Sequence, residues 1–376
     1  MIAIINQNRL LAEFQELVQI ASPSKKEGQL AKHLQDKLQA LGLSVKVDRA
    51  GEIIGGETGN IIARLEATGA GPKIFFSAHL DTVMPGESIE PILTDGVFRS
   101  AGDTILGADD KSGIVAIMEA LRVIKEKSLP HPQITVIFSV AEEAGLLGAI
   151  NLDTTLLEAE YGFVLDSSGP VGNVIVRGPS QSDIKAVIKG KAAHAGIAPE
   201  EGVSAIQIAS EAIRRMKLGR IDKETTANIG TINGGIATNI IPEQVTLEGE
   251  ARSLNKTKLE EQNKQISQAF QSAAKDLGGS CHVEITIAYT AIEDLEQHEI
   301  VSLVKRAANT VAMEIKPVAT GGGSDANIYN SYGIPTINLA TGMDKVHTKE
   351  EQIRAEDLIK ISNLVLAIIQ ACGKEL

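Results

Sequence analysis

The sequence has 376 residues, of which 36 are basic and 48 acidic, so its formal net charge is −12. A hydrophobic fraction of 43% excludes an intrinsically disordered chain, and the length is sufficient for two domains with buried cores. The acidic balance without a basic cluster argues against a nucleic-acid-binding protein. The chain has two cysteines, Cys281 and Cys372, and no signal-like or membrane-spanning segment, which predicts a cytoplasmic protein with no membrane association.

The first part of the chain has the pattern of an α/β domain. Apolar residues spaced three and four apart predict helices over residues 9–20 and 27–41. Short, partly β-branched apolar runs predict strands over residues 60–65, 73–77, 133–140 and 161–165. A helix is predicted over residues 113–127, where it would connect two strands of one sheet.

The pattern changes after about residue 176. Alternation of apolar and polar residues predicts strands of an antiparallel sheet with one face in water, over residues 182–190 and 244–252. Amphipathic helices are predicted over residues 203–216 and 258–277. These elements form a small α+β domain, which we place at residues 176–290.

The α/β pattern returns after this insertion. Helices are predicted over residues 299–311 and 355–371, and an apolar strand over residues 334–340. We therefore expect a discontinuous α/β domain, residues 1–175 and 291–376, interrupted by the α+β domain.

Histidine and carboxylate side chains follow two of the predicted strands, at the edge where ligands gather in open α/β sheets. His79 and Asp81 follow one strand and share a face at period two, so that the carboxylate can orient an imidazole that binds a metal. Glu142 and Glu143 follow another, where adjacent glutamates repel each other unless a cation or a shared proton lies between them. Alone, each pair is also compatible with an ordinary loop or an acidic turn.

Further acidic and imidazole residues extend this pattern. Asp109 and Asp110 open a helix, where one can act as a cap while the other faces a cleft as a carboxylate bridging two cations. Asp166 and His347 each follow a predicted strand, although a turn and a surface histidine are the ordinary explanations. The set contains two histidines, several carboxylates and no thiolate, which favours a pair of hydrolytic divalent metals over a structural zinc site.

Other motifs carry weaker signals. The glycine run at residues 321–325 reads GGGSD without a P-loop lysine, which favours a backbone turn near a substrate over nucleotide binding. His194 lies in the inserted domain, where an isolated histidine is more often structural. There is no G-x-S-x-G motif, and neither cysteine lies in a cleft motif, so no serine or cysteine nucleophile is predicted.

These motifs, in this order, resemble the co-catalytic di-zinc peptidase family that includes peptidase T, carboxypeptidase G, aminoacylase and succinyl-diaminopimelate desuccinylase. The resemblance spans nearly the whole chain. Its motifs are HLDTV from His79, GADDKSG from Gly107 and the pair Glu142–Glu143, with Asp166 and His347 where the remaining ligands stand. It implies two zinc ions per chain, with Co²⁺ or Mn²⁺ as substitutes.

The resemblance also implies the role of each residue. The implied metal ligands are His79 and Asp166 for one ion, Glu143 and His347 for the other, and Asp109 as the bridge between them. Glu142 would be the general base, and Asp81 would clamp His79. A cis peptide bond would join Asp109 to Asp110.

The fold implied by the resemblance is an α/β zinc-peptidase catalytic domain with helices on both faces of a mixed sheet, interrupted by a smaller α+β lid domain with an antiparallel sheet. The lid often forms the dimer interface in this family. His194 in KAAHAG matches the family's transition-state histidine, which reverses its structural interpretation. The implied substrate-binding residues are Asn239 and Arg252 in the lid, and Gly322, Gly323 and Ser324 on the catalytic side.

The activity implied is hydrolysis of peptide bonds in short peptides during peptide catabolism. GADDKSG is similar to the GADDKAG of the peptidase T subgroup, which favours a tripeptide aminopeptidase. The segments AEEAG and GGGSD depart from that subgroup's TPDEE and RGGTD patterns, which leaves the length preference open. The alternatives are an N-acyl-amino-acid amidohydrolase or carboxypeptidase of the same family, and a binding protein without catalysis. We expect a homodimer formed through the lid.

Overall fold

The computed structural model describes residues 5–373, which divide into two units. The first unit comprises the described residues up to Val176, Glu293–Ala319 and those from Ser324 onwards. The second comprises Arg177–Ile292 together with Thr320–Gly323. Within residues 5–373, no helix has both the length and the apolar character needed to cross a membrane.

Helices and strands alternate along most of the described chain. The helices are α1 (Gln7–Val18), α2 (Gly28–Ala40), α3 (Ala50–Ile54), α4 (Ala108–Lys127), α5 (Leu147–Ile150), α6 (Ala205–Arg215), α7 (Lys256–Asp276), α8 (Glu299–Thr310), α9 (Asp325–Ser331) and α10 (Ala355–Cys372). The strands are β1 (Ser44–Val47), β2 (Ile61–Leu65), β3 (Ile74–His79), β4 (Pro91–Thr94), β5 (Val97–Ser100), β6 (Ile134–Ser139), β7 (Tyr161–Ser167), β8 (Asn173–Arg177), β9 (Ser180–Lys189), β10 (Gly219–Arg220), β11 (Thr225–Gly234), β12 (Gln244–Ser253), β13 (Ser280–Tyr289), β14 (Lys316–Ala319), β15 (Thr336–Ala340) and β16 (Gln352–Arg354). Every element predicted from the sequence is present, although β3 and β7 extend further than predicted, to His79 and Ser167.

The first unit is built around an eight-stranded sheet in the order β1-β2-β6-β3-β7-β15-β8-β14. Its central strands β6, β3, β7 and β15 run parallel to one another. Both β3 and β6 are buried along their whole length, as is usual for parallel strands that are covered on both faces. The outer strands β2 and β8 join this centre antiparallel, so the sheet is mixed, as expected.

Two groups of helices pack on this sheet. α4 packs on β3 and β7 and contacts α1 and α10, and α8 contacts α10. α9 packs on β7 and β15 and contacts α5, which in turn contacts α3. Helices therefore cover both faces of the sheet, and the carboxyl ends of the parallel strands lie at one edge between them.

The second unit contains a five-stranded antiparallel sheet in the order β10-β11-β12-β9-β13. Buried residues alternate along β9, where Ile184, Ala186 and Ile188 point into the core. α6 and α7 contact each other and both pack on β9 and β12, so they lie on one face of the sheet. The alternation that predicted one wet face is explained by this one-sided packing.

The second unit begins and ends at neighbouring positions. The main chains of Gly178 and Ile292 exchange two hydrogen bonds of 3.4 and 3.1 Å. The separate segment Thr320–Gly323 joins the same unit through a hydrogen bond of 3.0 Å from Thr320 N to Arg177 O. The chain therefore enters and leaves the second unit at adjacent positions, close to Arg177 and Ile292.

Candidate metal centre

The parallel strands bring predicted site residues to one edge of the eight-stranded sheet. His79 is the last residue of β3, Asp166 lies near the end of β7, and Glu142 and Glu143 follow β6. The sequence pattern placed His79 and Asp166 just after their strands, whereas both belong to them. For His79 the reason is that the ladder continues, with His79 paired to Ser139 of β6.

The five predicted ligands form two triads that share one aspartate. His79, Asp109 and Asp166 form one, and Asp109, Glu143 and His347 form the other, with the candidate ligand atoms of each within 4.8 Å of one another. Nε2 of His79 lies 3.0 Å from Oδ1 of Asp109 and 3.7 Å from Oδ1 of Asp166. Nε2 of His347 lies 3.2 Å from Oδ2 of Asp109 and 2.8 Å from Oε1 of Glu143. Asp109 thus presents one carboxylate oxygen to each triad.

The two aspartates of the GADDKSG motif, Asp109 and Asp110, make different contacts. The peptide bond between Asp109 and Asp110 is cis, as the resemblance implied. Oδ2 of Asp110 accepts a hydrogen bond of 3.2 Å from the main chain of His79, and its Oδ1 accepts one of 3.2 Å from Gly113 N. Asp110 therefore supports the end of β3 and binds the main chain near the start of α4, whereas Asp109 takes part in the triads.

The electrostatics of the cluster favour bound positive charge. Burial raises the pKa values of Asp166 and Glu142 well above their usual range, and the negative charges around them act in the same direction. Burial would also raise the pKa of Asp109, but hydrogen bonds with His347 and His79 hold it below its usual range. Unscreened by cations, this many buried carboxylates cannot all remain ionised.

The pKa values of the two histidines are also raised, which favours the charged form of an imidazole. Burial favours the neutral form of His79, yet Asp109 and Asp81 raise its pKa well above its usual value. The nearby carboxylates of Asp109 and Glu143 raise the pKa of His347 to about 10. The carboxylates that raise these pKa values favour positive charge at the positions where the triads are suited to hold metal ions.

The donor set fits divalent metal ions. It consists of imidazole nitrogens and carboxylate oxygens without a thiolate, a combination used by hydrolytic metal sites. Oε1 of Glu143 is buried and has no partner in hydrogen-bonding geometry, although Nε2 of His347 lies 2.8 Å away. A buried carboxylate oxygen in this state is available as a metal ligand.

Asp81 holds the turn that carries the two glutamates. Its Oδ1 accepts a hydrogen bond of 2.9 Å from Glu142 N, and its Oδ2 accepts bonds of 3.1 Å from Glu143 N and 2.6 Å from Ser24 Oγ. Nδ1 of His79 lies 2.8 Å from the main-chain oxygen of Asp81 but 3.5 Å from its Oδ1. The main chain of Asp81 therefore makes the closest contact with the imidazole, while its carboxylate fixes the turn.

Several supporting residues were not identified from the sequence. The ladder between β7 and β15 shifts register after Asn338, whose side chain there binds the main chain of Asp166 through bonds of 2.9 and 3.0 Å. Oε1 of Glu27 accepts a hydrogen bond of 2.9 Å from Ala141 N. The only signal for Asn338 was a polar residue within an apolar run, and Glu27 had none.

Two more missed residues surround the loop of Asp109. Lys111 is completely buried and its Nζ donates a hydrogen bond of 2.8 Å to Ile20 O, while burial lowers its pKa to about 7. The buried carboxylate of Glu351 accepts hydrogen bonds from Leu106, Gly107 and Asp109. The acidic run that contains Glu351 is typical of a solvated surface, so the sequence did not distinguish it.

His194, Asn239 and Arg252 belong to the second unit. His194 is exposed and its Nδ1 accepts a hydrogen bond of 3.2 Å from Gly196 N. The main chain of Ala195 donates a bond of 2.9 Å to Asn239 O, so His194 and Asn239 lie on neighbouring loops. The guanidinium of Arg252 makes two hydrogen bonds of 2.9 Å with the carboxylate of Glu250.

The predicted glycine loop is divided between the units. Gly322 and Gly323 belong to the second unit, and their position on the catalytic side of the site stays a prediction. Gly323 packs so closely on Tyr289 that a Cβ atom there would overlap the ring. Ser324 belongs to the first unit, where its Oγ accepts hydrogen bonds of 3.3 Å from Ala326 N and 3.1 Å from Asn338 Nδ2.

Comparison with known proteins identifies the family. A family model described as a peptidase dimerisation domain matches residues 177–278, and a model of peptidase family M28 matches residues 60–206. Peptidase T of Edwardsiella ictaluri is 26% identical, over 96% of this chain and 97% of its own length.

Two solved structures cover this chain almost completely. Aminopeptidase PepT from Bacillus cereus is 46% identical with a TM-score of 0.91, covering 98% of this chain and 100% of its own. A tripeptidase from Staphylococcus aureus is 41% identical with a TM-score of 0.95, covering 99% of this chain and 100% of its own. Because peptidases at this level of identity match it from end to end, the chain belongs to the peptidase-T-like metallopeptidases.

Proposed function

We propose that this enzyme is a tripeptide aminopeptidase, which uses two zinc ions and a water molecule to release the N-terminal residue of short peptides in peptide catabolism. The observation that carries the proposal is the pair of triads joined by Asp109. The two structural relatives that match from end to end are an aminopeptidase and a tripeptidase, which favours a free-amino peptide over an acylated amino acid as the substrate.

The two triads support the proposed set of metal ligands. His79 and Asp166 would hold one ion, Glu143 and His347 the other, and Asp109 both. The donor atoms suit Zn²⁺, with Co²⁺ or Mn²⁺ as substitutes. Divalent ions in such a site lower the pKa of water and polarise the scissile carbonyl group.

Glu142 is the general base in this proposal. It is buried beside the triads, and its main chain is fixed by the hydrogen bond to Asp81. Its carboxylate would take a proton from the attacking water and pass it to the leaving amine. Asp81 supports both partners, because its main chain contacts His79 and its carboxylate holds the turn of Glu142.

In this proposal the second unit supplies the remaining residues except Ser324, which belongs to the first unit. His194 would stabilise the oxyanion as a hydrogen-bond donor. Its exposure and the neighbouring loop of Asn239 support this assignment, together with the resemblance of the KAAHAG motif. The proposed substrate-binding residues are Asn239, Arg252, Gly322, Gly323 and Ser324. Arg252 would exchange its ion pair with Glu250 for a substrate carboxylate.

We also propose that the protein is a homodimer formed through the second unit and works in the cytoplasm. The match to a peptidase dimerisation domain supports the dimer. β10 pairs only with Thr226 and Ala227, so among the described residues the rest of β11 has no strand on its outer side. Ile232 on this segment is 52% exposed, and an apolar unpaired edge favours association.

Cys281 and Cys372 are both free thiols, which suits a reducing compartment.

The function is tested with a free-amino tripeptide and its N-acetylated twin. Initial rates are measured with enzyme that has been stripped of metal by a chelator and then restored with zinc. We expect zinc-dependent cleavage of the free-amino tripeptide and a much lower rate on its twin. Preference for the acetylated peptide would instead assign the enzyme to the acylase or carboxypeptidase branch. Binding of two metal ions without cleavage of either peptide would contradict the proposed substrate class.

A further inference from the structure

A single buried carboxylate outside both triads holds the loop of the bridging aspartate. Oε2 of Glu351 accepts hydrogen bonds of 2.8 Å from both Leu106 N and Gly107 N. Its Oε1 accepts a hydrogen bond of 2.9 Å from Asp109 N. Glu351 is 1% exposed, so these main-chain groups have replaced water as the partners of its carboxylate.

The same residue stands at the base of the loop that carries His347. The main chains of Asp344 and Gln352 exchange hydrogen bonds of 2.9 and 3.0 Å and close this loop. Gln352 then begins β16, which pairs with Arg99 of β5. Glu351 is therefore fixed to a closed loop that contains His347, four positions earlier in the sequence.

From this juxtaposition we infer that Glu351 is a positioning residue that connects the loop of Asp109 to the loop of His347. It would hold the ligands of both metal positions in a fixed arrangement. The inference rests on the proposed metal site. Asp109 is shared by the triads, and a displacement of its main chain would change the distances to both ions. Groups that orient metal ligands in this way strongly affect metal affinity.

The three hydrogen bonds require a carboxylate. An ionised carboxylate has acceptor capacity on both oxygens, whereas the amide of glutamine has one oxygen and one nitrogen that only donates. Glu351→Gln would therefore leave at least one buried N–H group of the loop without a partner. Glu351→Asp keeps the charge but shortens the side chain by one methylene group, which draws the carboxylate away from the loop.

Glu350 provides a matched control on the neighbouring residue. Its side chain is 75% exposed, and its carboxylate pairs with Lys345 at 2.9 Å. Glu350→Gln makes the same chemical change one position away, without touching the loop of Asp109. The apo proteins are compared by thermal unfolding, so that a change in metal binding is separated from a general loss of stability.

The test is a titration of the metal-stripped full-length proteins with Co²⁺, followed by visible absorption and metal analysis. We expect Glu351→Gln to lower the affinity for at least one ion by about 10–100-fold, with an altered cobalt spectrum and a kcat that falls more than KM changes. Glu351→Asp should show a loss of the same kind, and Glu350→Gln should behave as the wild type.

Wild-type affinity and an unchanged cobalt spectrum in Glu351→Gln would overturn the inference. It would also be overturned if both Glu351 variants failed to fold even with excess cobalt, because Glu351 would then be a folding residue. The proposed function is judged separately on the wild-type protein. Failure of the wild type to bind two ions or to cleave peptides would refute that function, whatever the variants show.

Discussion

Carboxylates that do not belong to the triads hold the turns that present the ligands. Asp81 binds the N–H groups of Glu142 and Glu143, and Glu27 binds that of Ala141. Glu351 does the same for the loop of Asp109. These main-chain N–H groups therefore donate to buried carboxyl groups. Such charge-assisted hydrogen bonds are stronger than neutral ones and restrict the geometry of the ligands.

Glu142→Gln tests the assignment of the general base. We expect kcat to fall about 10²–10⁴-fold, the usual contribution of general acid–base catalysis, while two metal ions remain bound. The turn should persist, because Asp81 binds the main chain of Glu142 and not its side chain. Steady-state kinetics and metal analysis measure the two effects, with the exposed Glu87→Gln as a control. Loss of metal in Glu142→Gln would show that this residue is a ligand.

Glu27 gives the stability a pH dependence of known sign. Burial raises its pKa from 4.5 to about 7, and the charge of Asp81 acts in the same direction. The folded protein therefore retains a proton that the unfolded chain releases between these values. The stability contributed by this group is complete below about pH 4.5 and is lost as the pH rises through about 7.

Glu27→Gln imitates the protonated form, since both main-chain donors bind the single atom Oε1 of Glu27. We expect the variant to be more stable than the wild type at pH 8 and to match it near pH 5. The free energy of unfolding is measured with urea at both pH values. The control is Glu87→Gln, since Glu87 is exposed. Glu57 is exposed too, but its carboxylate accepts a hydrogen bond from Gly28 N, so it is unsuitable as a control. An equal difference between variant and wild type at both pH values would contradict the pKa assignment.

Among the helices and strands, those with a clear apolar period were predictable and those formed by pairing were not. In the helix α8 the apolar residues recur with the helical period, and the strand β6 is an almost continuous apolar run, so both could be predicted. By contrast, β11 reads TTANIGTING, with glycine and asparagine that disfavour strands, and it exists because it pairs along β12. Predicted residues such as Asp109 and His347 were found through motifs, whereas Glu351 binds a partner 242 positions away that no local pattern reveals.

The unpaired part of β11 leads to a prediction about assembly. Ile232→Lys places a charge on this apolar edge, and charged residues at a strand edge oppose association with another strand. We expect the wild type to be a dimer and Ile232→Lys to be largely monomeric by size-exclusion chromatography with light scattering. Gln268→Lys, an equal change of charge on the exposed face of α7, should remain dimeric. Dimeric Ile232→Lys would exclude this edge as the interface.

At the scale of the whole molecule, residues 5–373 contain two separate hydrophobic cores. One core lies around the eight-stranded sheet and the other between α6, α7 and the five-stranded sheet. All five proposed metal ligands belong to the first unit. Metal ions that bind the folded first unit should therefore stabilise that unit and leave the second unit unchanged.

Removal of metal by a chelator should lower the stability of one unit selectively. Binding at a free concentration of 100 times Kd stabilises a folded state by about 2.7 kcal/mol. We expect calorimetry of the stripped protein to show two transitions, of which zinc raises only the one assigned to the first unit. Replacing His79 by alanine should abolish this shift. A shift of both transitions by the same amount would contradict the assignment of metal binding to one unit.

The position of β15 has a consequence for the order in which the protein is made. This strand lies between β7 and β8 in the sheet, yet the ribosome synthesises it only after the whole of the second unit. The emerging chain therefore presents β7 and β8 without the strand that separates them, and non-local pairing of this kind slows folding. His347 and Glu351 emerge later still. A nascent chain that has not yet been extended beyond Glu351 thus lacks a complete pair of triads and the carboxylate that holds the loop of Asp109.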